Sequence, residues 1–338
     1  MATRTPKRHD LTSEQLLELM RNMLLQRAVD TRGFQLNRQG KIAIAMGSEG
    51  HEAVQAGTGM AFVRGRDVLY PYYRNTGVVL GCGLPLEDLF RSQFARATDT
   101  TGGRSIINHV SARSRGIASI SSIIASQCTH AVGAAYAFKL RGETDRVAFC
   151  TFGEGATSQG EWHESVNFAS IHQLPVILLC ENNQWAISTP IQKQMANPSV
   201  AAKAEAYGIP GVTADGFDPI AVYSVVNAAR RRAADGGGPT LIEARCYRFL
   251  SHTTDDDDRT YRTRDEVERE RANDPIPRFE RYLVARGVAT AAEISSLRSQ
   301  IERLVNETTD RIEHEPLPAP DSLYTEVWAG PSEPWSTP

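Results

Sequence analysis

Apolar positions recur at helical spacing from the start of the chain. Thr12-Ser13-Glu14-Gln15 reads as a capping box, and Leu16, Leu17, Leu19, Met20, Met23, Leu24 and Ala28 behind it predict a long amphipathic helix to about Phe34. A second helix is expected over 50–61, and the tyrosine-dense segment Tyr70 to Thr76, containing Arg74, reads as a loop. Residues 117–124 are rich in serine and isoleucine. Ser126 to Leu140 carries Ala131, Gly133, Ala134, Ala135 and Ala137, a density of small residues that predicts a buried helix pressed against its neighbours.

The pattern then changes to continuous apolar runs. Residues 146–152 and 175–180 predict two strands joined by the loop 153–158 and a helix over 159–172. Strand, helix and strand with short links make a βαβ unit, which crosses over into a parallel pair. Runs without polar alternation imply a sheet covered on both faces. A helix over 218–234, the turn Asp235 to Pro239 and a strand over 240–247 repeat the theme, so the expected fold is α/β, a doubly wound and mainly parallel sheet with helices on both faces. A polar loop at 251–259 leads to charged helices over 264–273, 277–286 and 291–314. Six prolines after Glu315 suggest an extended arm. The expected organisation is a tail over 1–10, one domain over 11–315 and the arm over 316–338.

Composition narrows the classes without changing the fold. The 338 residues, 41% hydrophobic and 23% charged, are enough to bury a large core. Acids outnumber bases, giving a net charge of −3, so no general field favours nucleic acid or an anionic membrane. No apolar run is long enough for a membrane span, and the polar amino terminus lacks a signal-peptide core. Five widely spaced cysteines (Cys82, Cys128, Cys150, Cys180 and Cys246) contain no CxxC pair. A soluble protein of a reducing compartment, the cytoplasm, is expected.

Candidate chemistry follows from the βαβ unit, because ligands in open α/β sheets sit beyond the carboxyl ends of the strands. Glu154 and Asn183 both lie just past such ends. Adjacent strands are about 4.8 Å apart, and magnesium takes oxygen ligands at about 2.1 Å. One ion could therefore bridge the carboxylate and the amide. The glycines flanking Glu154 allow close backbone approach, and the amino end of the following helix favours phosphate. This pairing suits a magnesium diphosphate. A Rossmann fingerprint fits poorly, since its last glycine would fall at Ser158. The run Asp255 to Asp258 lacks EF-hand spacing and reads as loop-ordering charge.

Gly153-Glu154-Gly155, followed after 26 residues by Asn182-Asn183, resembles the thiamine-diphosphate motif of the decarboxylating components of 2-oxo acid dehydrogenases. Residues 152–168 and 174–188 resemble the alpha subunit of that family. So do Gly50-His51-Glu52-Ala53, Tyr72-Tyr73-Arg74, Ala131 to Ala135 and Asn273 to Ile276, and the likeness runs from about Leu16 to Leu304. Glutamate within Gly-x-Gly and the loop from His252 to Arg262 look closer to the branched-chain than to the pyruvate enzymes. Acetoin-cleaving relatives share much of the pattern, and a non-catalytic partner that kept the fold is a further alternative.

The resemblance implies a thiamine-diphosphate-binding fold and a role for each matched residue. Glu154, Asn183 and the carbonyl of Trp185 would hold magnesium. Tyr73, Arg74, Ser122, Ile124, Gly155 and Ala156 would contact the cofactor. His252 matches the active-site loop histidine, suited to proton transfer or charge stabilisation. Ser121, Ile123, Ser126 and Gln127 match a potassium site. Ile123 stands where proline is usual, Trp185 where tyrosine is commoner, and Glu181 where some relatives place a basic diphosphate ligand, so that contact is not carried over. The family's partners are also implied: a beta subunit completing an α2β2 heterotetramer, a lipoyl-bearing acyltransferase core and a small 2-oxo acid substrate.

Overall fold

The computed structural model describes residues 11–325; the tail expected over 1–10 and residues 326–338 of the expected arm lie outside them. The first part of the chain forms α1 (Ser13–Arg38), α2 (Glu52–Ala61), β1 (Val68–Tyr70), α3 (Thr76–Gly81), α4 (Leu86–Gln93) and α5 (Ser126–Leu140). The βαβ unit is β2 (Ala148–Gly153), α6 (Gly160–Ile171) and β3 (Val176–Asn182). A small ribbon of β4 (Trp185–Ala186) and β5 (Thr189–Pro190) leads to α7 (Ile191–Gln194). Then come β6 (Gly211–Asp215), α8 (Pro219–Ala234), β7 (Thr240–Arg245), α9 (Arg264–Arg271), α10 (Pro275–Ala285) and α11 (Ala291–Ile312).

The five longer-range strands pair in the order β1-β2-β3-β7-β6, and every pairing is parallel. Successive side chains on a strand point to opposite faces, and here both faces are covered. Phe149, Ile177, Leu179 and Ile242 pack into a cluster with Val54 of α2 and Val222 and Val226 of α8. Cys150, Phe152, Leu178 and Cys180 face the other way, onto Ala131 and Ala135 of α5 and Trp162 and Val166 of α6. This two-sided burial is why the strands read as unbroken apolar runs.

Local chemistry fixes the helix ends. Thr12 Oγ1 accepts from Gln15 N at 3.2 Å, while Thr12 N donates to Gln15 Oε1 at 3.0 Å. Asp218 caps α8 through Ile220 N and Ala221 N, with Pro219 in the first turn. The helix α1 runs beyond Phe34 because Leu36 is still fully buried, and it ends only where Gly40 turns into the left-handed region at φ 70°.

Two elements depart from expectation. The segment 70–76 is not one loop: Tyr70 ends β1 and Thr76 begins α3. The helix α5 is buried on one side only, and Thr129, His130, Gly133 and Leu140 on its other side are exposed. Its small residues allow close packing on α6 and β2, but only along one stripe. In the proline-rich segment after α11, Ala97 N donates to Pro316 O at 2.9 Å, Arg104 Nη2 donates to Ser322 O at 2.7 Å, and Pro320–Tyr324 form a short 3-10 turn.

Candidate active site

The carboxyl ends of β2 and β3 lie side by side, with Gly153 in register with Glu181. Beyond them opens a cleft of about 220 Å³, closed on one side by the segment after β1 and on another by the loop after β7. Of the residues singled out in the sequence, Tyr73, Arg74, Ser121, Ile124, Gln127, Glu154, Gly155, Ala156, Asn183, Trp185 and His252 all line it. Ser122, Ile123 and Ser126 do not. Ser122 Oγ instead hydrogen-bonds His109 Nε2 at 2.7 Å, and Ser126 Oγ donates to Ile123 O at 2.8 Å. The turn is strained: Ala125, buried and not glycine, sits at φ 71°, and Gln184 and Ile187 on the facing loop sit at 73° and 53°.

One corner of the cleft is built of hard oxygen donors. Glu154 is 1% exposed, and among the described residues no cation pairs with it. Its Oε1 accepts from Gln194 Nε2 at 3.1 Å and its Oε2 from Asn183 N at 3.3 Å. Burial pushes its carboxyl above the ordinary range. Asn183 Oδ1 accepts Trp185 N at 3.1 Å, which orients the amide oxygen and leaves it a second lone pair. A buried carboxylate with no ion pair among the described residues, beside an oriented amide oxygen and the Trp185 carbonyl, which Arg248 Nη1 reaches only at 3.5 Å, is chemically matched to magnesium. The neighbouring Gly155 has no room for a side chain, since a Cβ there would lie 2.7 Å from Ala186 Cβ.

The opposite wall is positive. Arg74 and Arg248 are each 1% exposed, and among the described residues neither has a carboxylate within ion-pair range. Arg74 donates to Gly47 O, to His252 O at 3.1 Å and to His252 Nδ1 at 3.0 Å. Arg248 donates to Ile187 O at 2.8 Å and to Tyr261 OH at 3.1 Å. Burial, with Arg74 close by, lowers Arg248 to about 10. Burial and the same two guanidiniums hold the imidazole of His252 down to about 3, so it is neutral near pH 7. Because both guanidiniums can only donate, Nδ1 of His252 accepts, and its proton lies on Nε2. Two buried, unpaired cations are costly on their own. A polyanion between them would remove that cost, and guanidinium forks suit phosphate oxygens.

The aspartate run orders the loop that presents His252. Asp256 Oδ2 accepts His252 N at 2.7 Å, Asp257 caps a short turn, and Asp258 forms a buried pair with Arg262 at 2.7 Å. Sequence reasoning passed over Arg248 because it follows an apolar strand and begins no motif. It also left Glu181 without a role, although this carboxylate is fully buried and accepts from four side chains. Gln127 Oε1 is buried without a hydrogen-bond partner, while its Nε2 donates to Thr151 O at 3.0 Å. Among the described residues no helix is long and apolar enough to cross a membrane.

Comparison with known proteins gives a consistent result. Residues 20–321 match the dehydrogenase E1 component family. The alpha subunit of 2-oxoisovalerate dehydrogenase from Bacillus subtilis is 43% identical over 330 residues, which is 97% of this chain and 100% of that protein. The alpha subunit of 3-methyl-2-oxobutanoate dehydrogenase from Mycobacterium tuberculosis is 38% identical over 95% of this chain and 84% of its own length. The human mitochondrial 2-oxoisovalerate dehydrogenase alpha subunit is 37% identical over 94% of this chain and 71% of its own.

Proposed function

Because the chain belongs to the dehydrogenase E1 component family, we propose that it is the alpha subunit of a branched-chain 2-oxo acid dehydrogenase. It acts with thiamine diphosphate in the oxidative decarboxylation of branched 2-oxo acids, and the acyl group passes to a lipoyl group on an acyltransferase core. The observation that carries this reading is the cleft itself: two buried guanidiniums face a buried carboxylate, and among the described residues none of the three has an ion-pair partner. Magnesium diphosphate supplies both missing charges.

When bound, thiamine diphosphate supplies a nucleophilic ring carbon and an electron sink that lets carbon dioxide leave a 2-oxo acid. The chain's own residues bind and orient. Glu154, Asn183 and the Trp185 carbonyl hold magnesium; Arg74 and Arg248 neutralise the diphosphate; and Gly155 and Ala156 let it approach the backbone. Tyr73 and Ile124 border the cofactor, and Ser122 supports the adjoining turn through His109. His252 presents an Nε2 proton, held in that tautomer by Arg74, and can donate it to a substrate oxygen. A potassium ion in the turn of Ser121, Ile123, Ser126 and Gln127 is supported by the unpartnered Gln127 Oε1.

An alpha subunit implies a beta subunit, and we assign the pair to an α2β2 heterotetramer. Ile123, Ile124 and Ile187 at the cleft mouth are 72%, 42% and 55% exposed, an apolar rim suited to being covered. Five cysteines, all free and buried, are compatible with a cytoplasmic setting. The deciding experiment measures reduction of an artificial acceptor by the chain co-expressed with its beta subunit, plus magnesium and thiamine diphosphate. Oxidation of 3-methyl-2-oxobutanoate well ahead of pyruvate and acetoin is expected. Preference for either competitor would move the assignment to that substrate, and inactivity of an intact complex with all three would refute catalysis.

A further inference from the structure

Glu181 is a buried carboxylate at the strand ends that the proposed chemistry does not use. It occupies the carboxyl end of β3, flanked in register by Gly153 and Ala244, and is fully buried. Among the described residues no lysine or arginine pairs with it. A carboxylate so placed, close to the site of a diphosphate, would be expelled unless its bonds served something.

Those bonds come from four side chains on two segments. His51 Nδ1 lies 2.6 Å from Oε2, Gln55 Nε2 donates to the same oxygen at 3.0 Å, and Tyr72 OH donates at 2.9 Å. Asn75 Nδ2 donates to Oε1. The orientation of Asn75 is itself fixed, because its Oδ1 accepts from Tyr72 N at 3.2 Å and from Thr151 Oγ1. Gln55 Nε2 also donates to Arg74 O at 2.8 Å, and its Oε1 accepts Gly77 N at 2.8 Å. Tyr72 and Asn75, on either side of Arg74, are therefore tied directly to one carboxylate, and Arg74 O and Gly77 N are tied to it through Gln55. Arg74 in turn holds His252 by two hydrogen bonds.

We propose that Glu181 is a positioning residue: it gathers the start of α2 and the segment 72–75 so that the Arg74 guanidinium stands preset for the cofactor's diphosphate. The inference rests on the reading of the cleft as a diphosphate site. Glu181 touches neither substrate nor cofactor. It acts by denying the Arg74 backbone other conformations, so its loss is felt as ordering cost at binding. His51 is its main lever, because its ring nitrogen lies closest, at 2.6 Å, of the three groups that share Oε2.

The test uses the complete complex with the beta subunit. Glu181→Gln keeps the shape but sets an amide N–H against at least one of four donors. Losing one charge-assisted bond of this kind predicts about 10- to 100-fold weaker binding of thiamine diphosphate by calorimetry. Turnover at saturating cofactor should stay within about threefold of wild type, a split that marks binding rather than chemistry. Before any cofactor is added, amide hydrogen exchange should quicken at residues 72–76 and stay unchanged at 176–180. His51→Leu should reproduce both effects, and His51→Asn, which restores a donor at the Nδ1 position, should reverse them. Unchanged cofactor affinity with unchanged exchange at 72–76 would overturn the proposal. So would a uniform rise in exchange across the sheet, which would mean that Glu181 only holds the fold. If the wild-type complex bound no thiamine diphosphate, the cofactor reading would fail, while the exchange comparison would still decide the role of Glu181.

Discussion

The turn that feeds the cleft hangs on one buried acid, and its removal has a calculable signature. Asp30 on α1 is 6% exposed, and its Oδ2 accepts from Ser48 N at 2.8 Å and Ser48 Oγ at 2.9 Å. Burial, partly offset by those two bonds, pushes its carboxyl up to about 7 from 3.8. The native chain thus keeps a proton that the unfolded chain releases near pH 4. Since the native state binds more protons between those values, stability is greatest at the acid end and falls as pH rises to about 7. The shift is roughly three units, or about 4 kcal/mol in full. Within the accessible window from pH 5 to 8 the loss is ~2.5 kcal/mol, a large share of a typical domain's stability. In Asp30→Asn the amide oxygen can accept both Ser48 bonds and nothing titrates. Urea unfolding of the complex at fixed protein concentration, repeated at four pH values, should show wild type losing ~2.5 kcal/mol more than the variant between pH 5 and 8. Parallel pH profiles for the two proteins would show that the Asp30 carboxyl is ionised in the fold and would refute the reasoning.

Two further substitutions test the cleft. Glu154→Gln removes a buried carboxylate that has no counter-ion among the described residues. The cofactor-free complex should melt no lower than wild type, while magnesium-dependent binding of thiamine diphosphate weakens by about 100-fold or more; tight binding by this variant, measured by calorimetry, would remove Glu154 from the metal site. Gly155→Ala places a methyl 2.7 Å from Ala186 Cβ and must spread the two loops, at a cost of about 1–3 kcal/mol in cofactor affinity. Titration of both proteins with magnesium and thiamine diphosphate checks this, and equal affinities would show that the loops are not set at their working separation.

How far the sequence could be read depended on whether the physics was local. The runs 146–152 and 175–180 announced β2 and β3 because both faces of those strands are covered, and the loops after them carried Glu154 and Asn183 to neighbouring positions. In β6 only Ala214 is buried and Thr213 is exposed, as befits an edge strand. No apolar run marked it. The small residues of α5 predicted close packing correctly, but small side chains do not say on how many sides. Arg248 and Glu181 were invisible for a different reason. Their importance comes from partners far along the chain: His51 lies 130 residues from Glu181, and Ile187 lies 61 residues from Arg248. A charged residue at the end of an apolar strand reads simply as the point where the strand stops.

The first helix has its partners at the far end of the protein. Arg27 bonds both carboxylate oxygens of Asp274 at 3.1 Å, 247 positions later, and Arg32 reaches Thr309 and Asp310 on α11. The apolar stripe of Leu16, Leu19, Met20 and Met23 packs with Ile276, Phe279 and Leu283 of α10 and Ile294 and Ile301 of α11. At a synthesis rate of about 5–20 residues per second, that surface waits roughly 12–50 s for its cover. During translation the nascent chain therefore carries an uncovered leucine- and methionine-rich face, a ready client for a holding chaperone. The Ser48 turn is held by Asp30 of the same helix, across only 18 positions. The cleft itself is complete in sequence only once His252 has been made, 69 positions after Asn183.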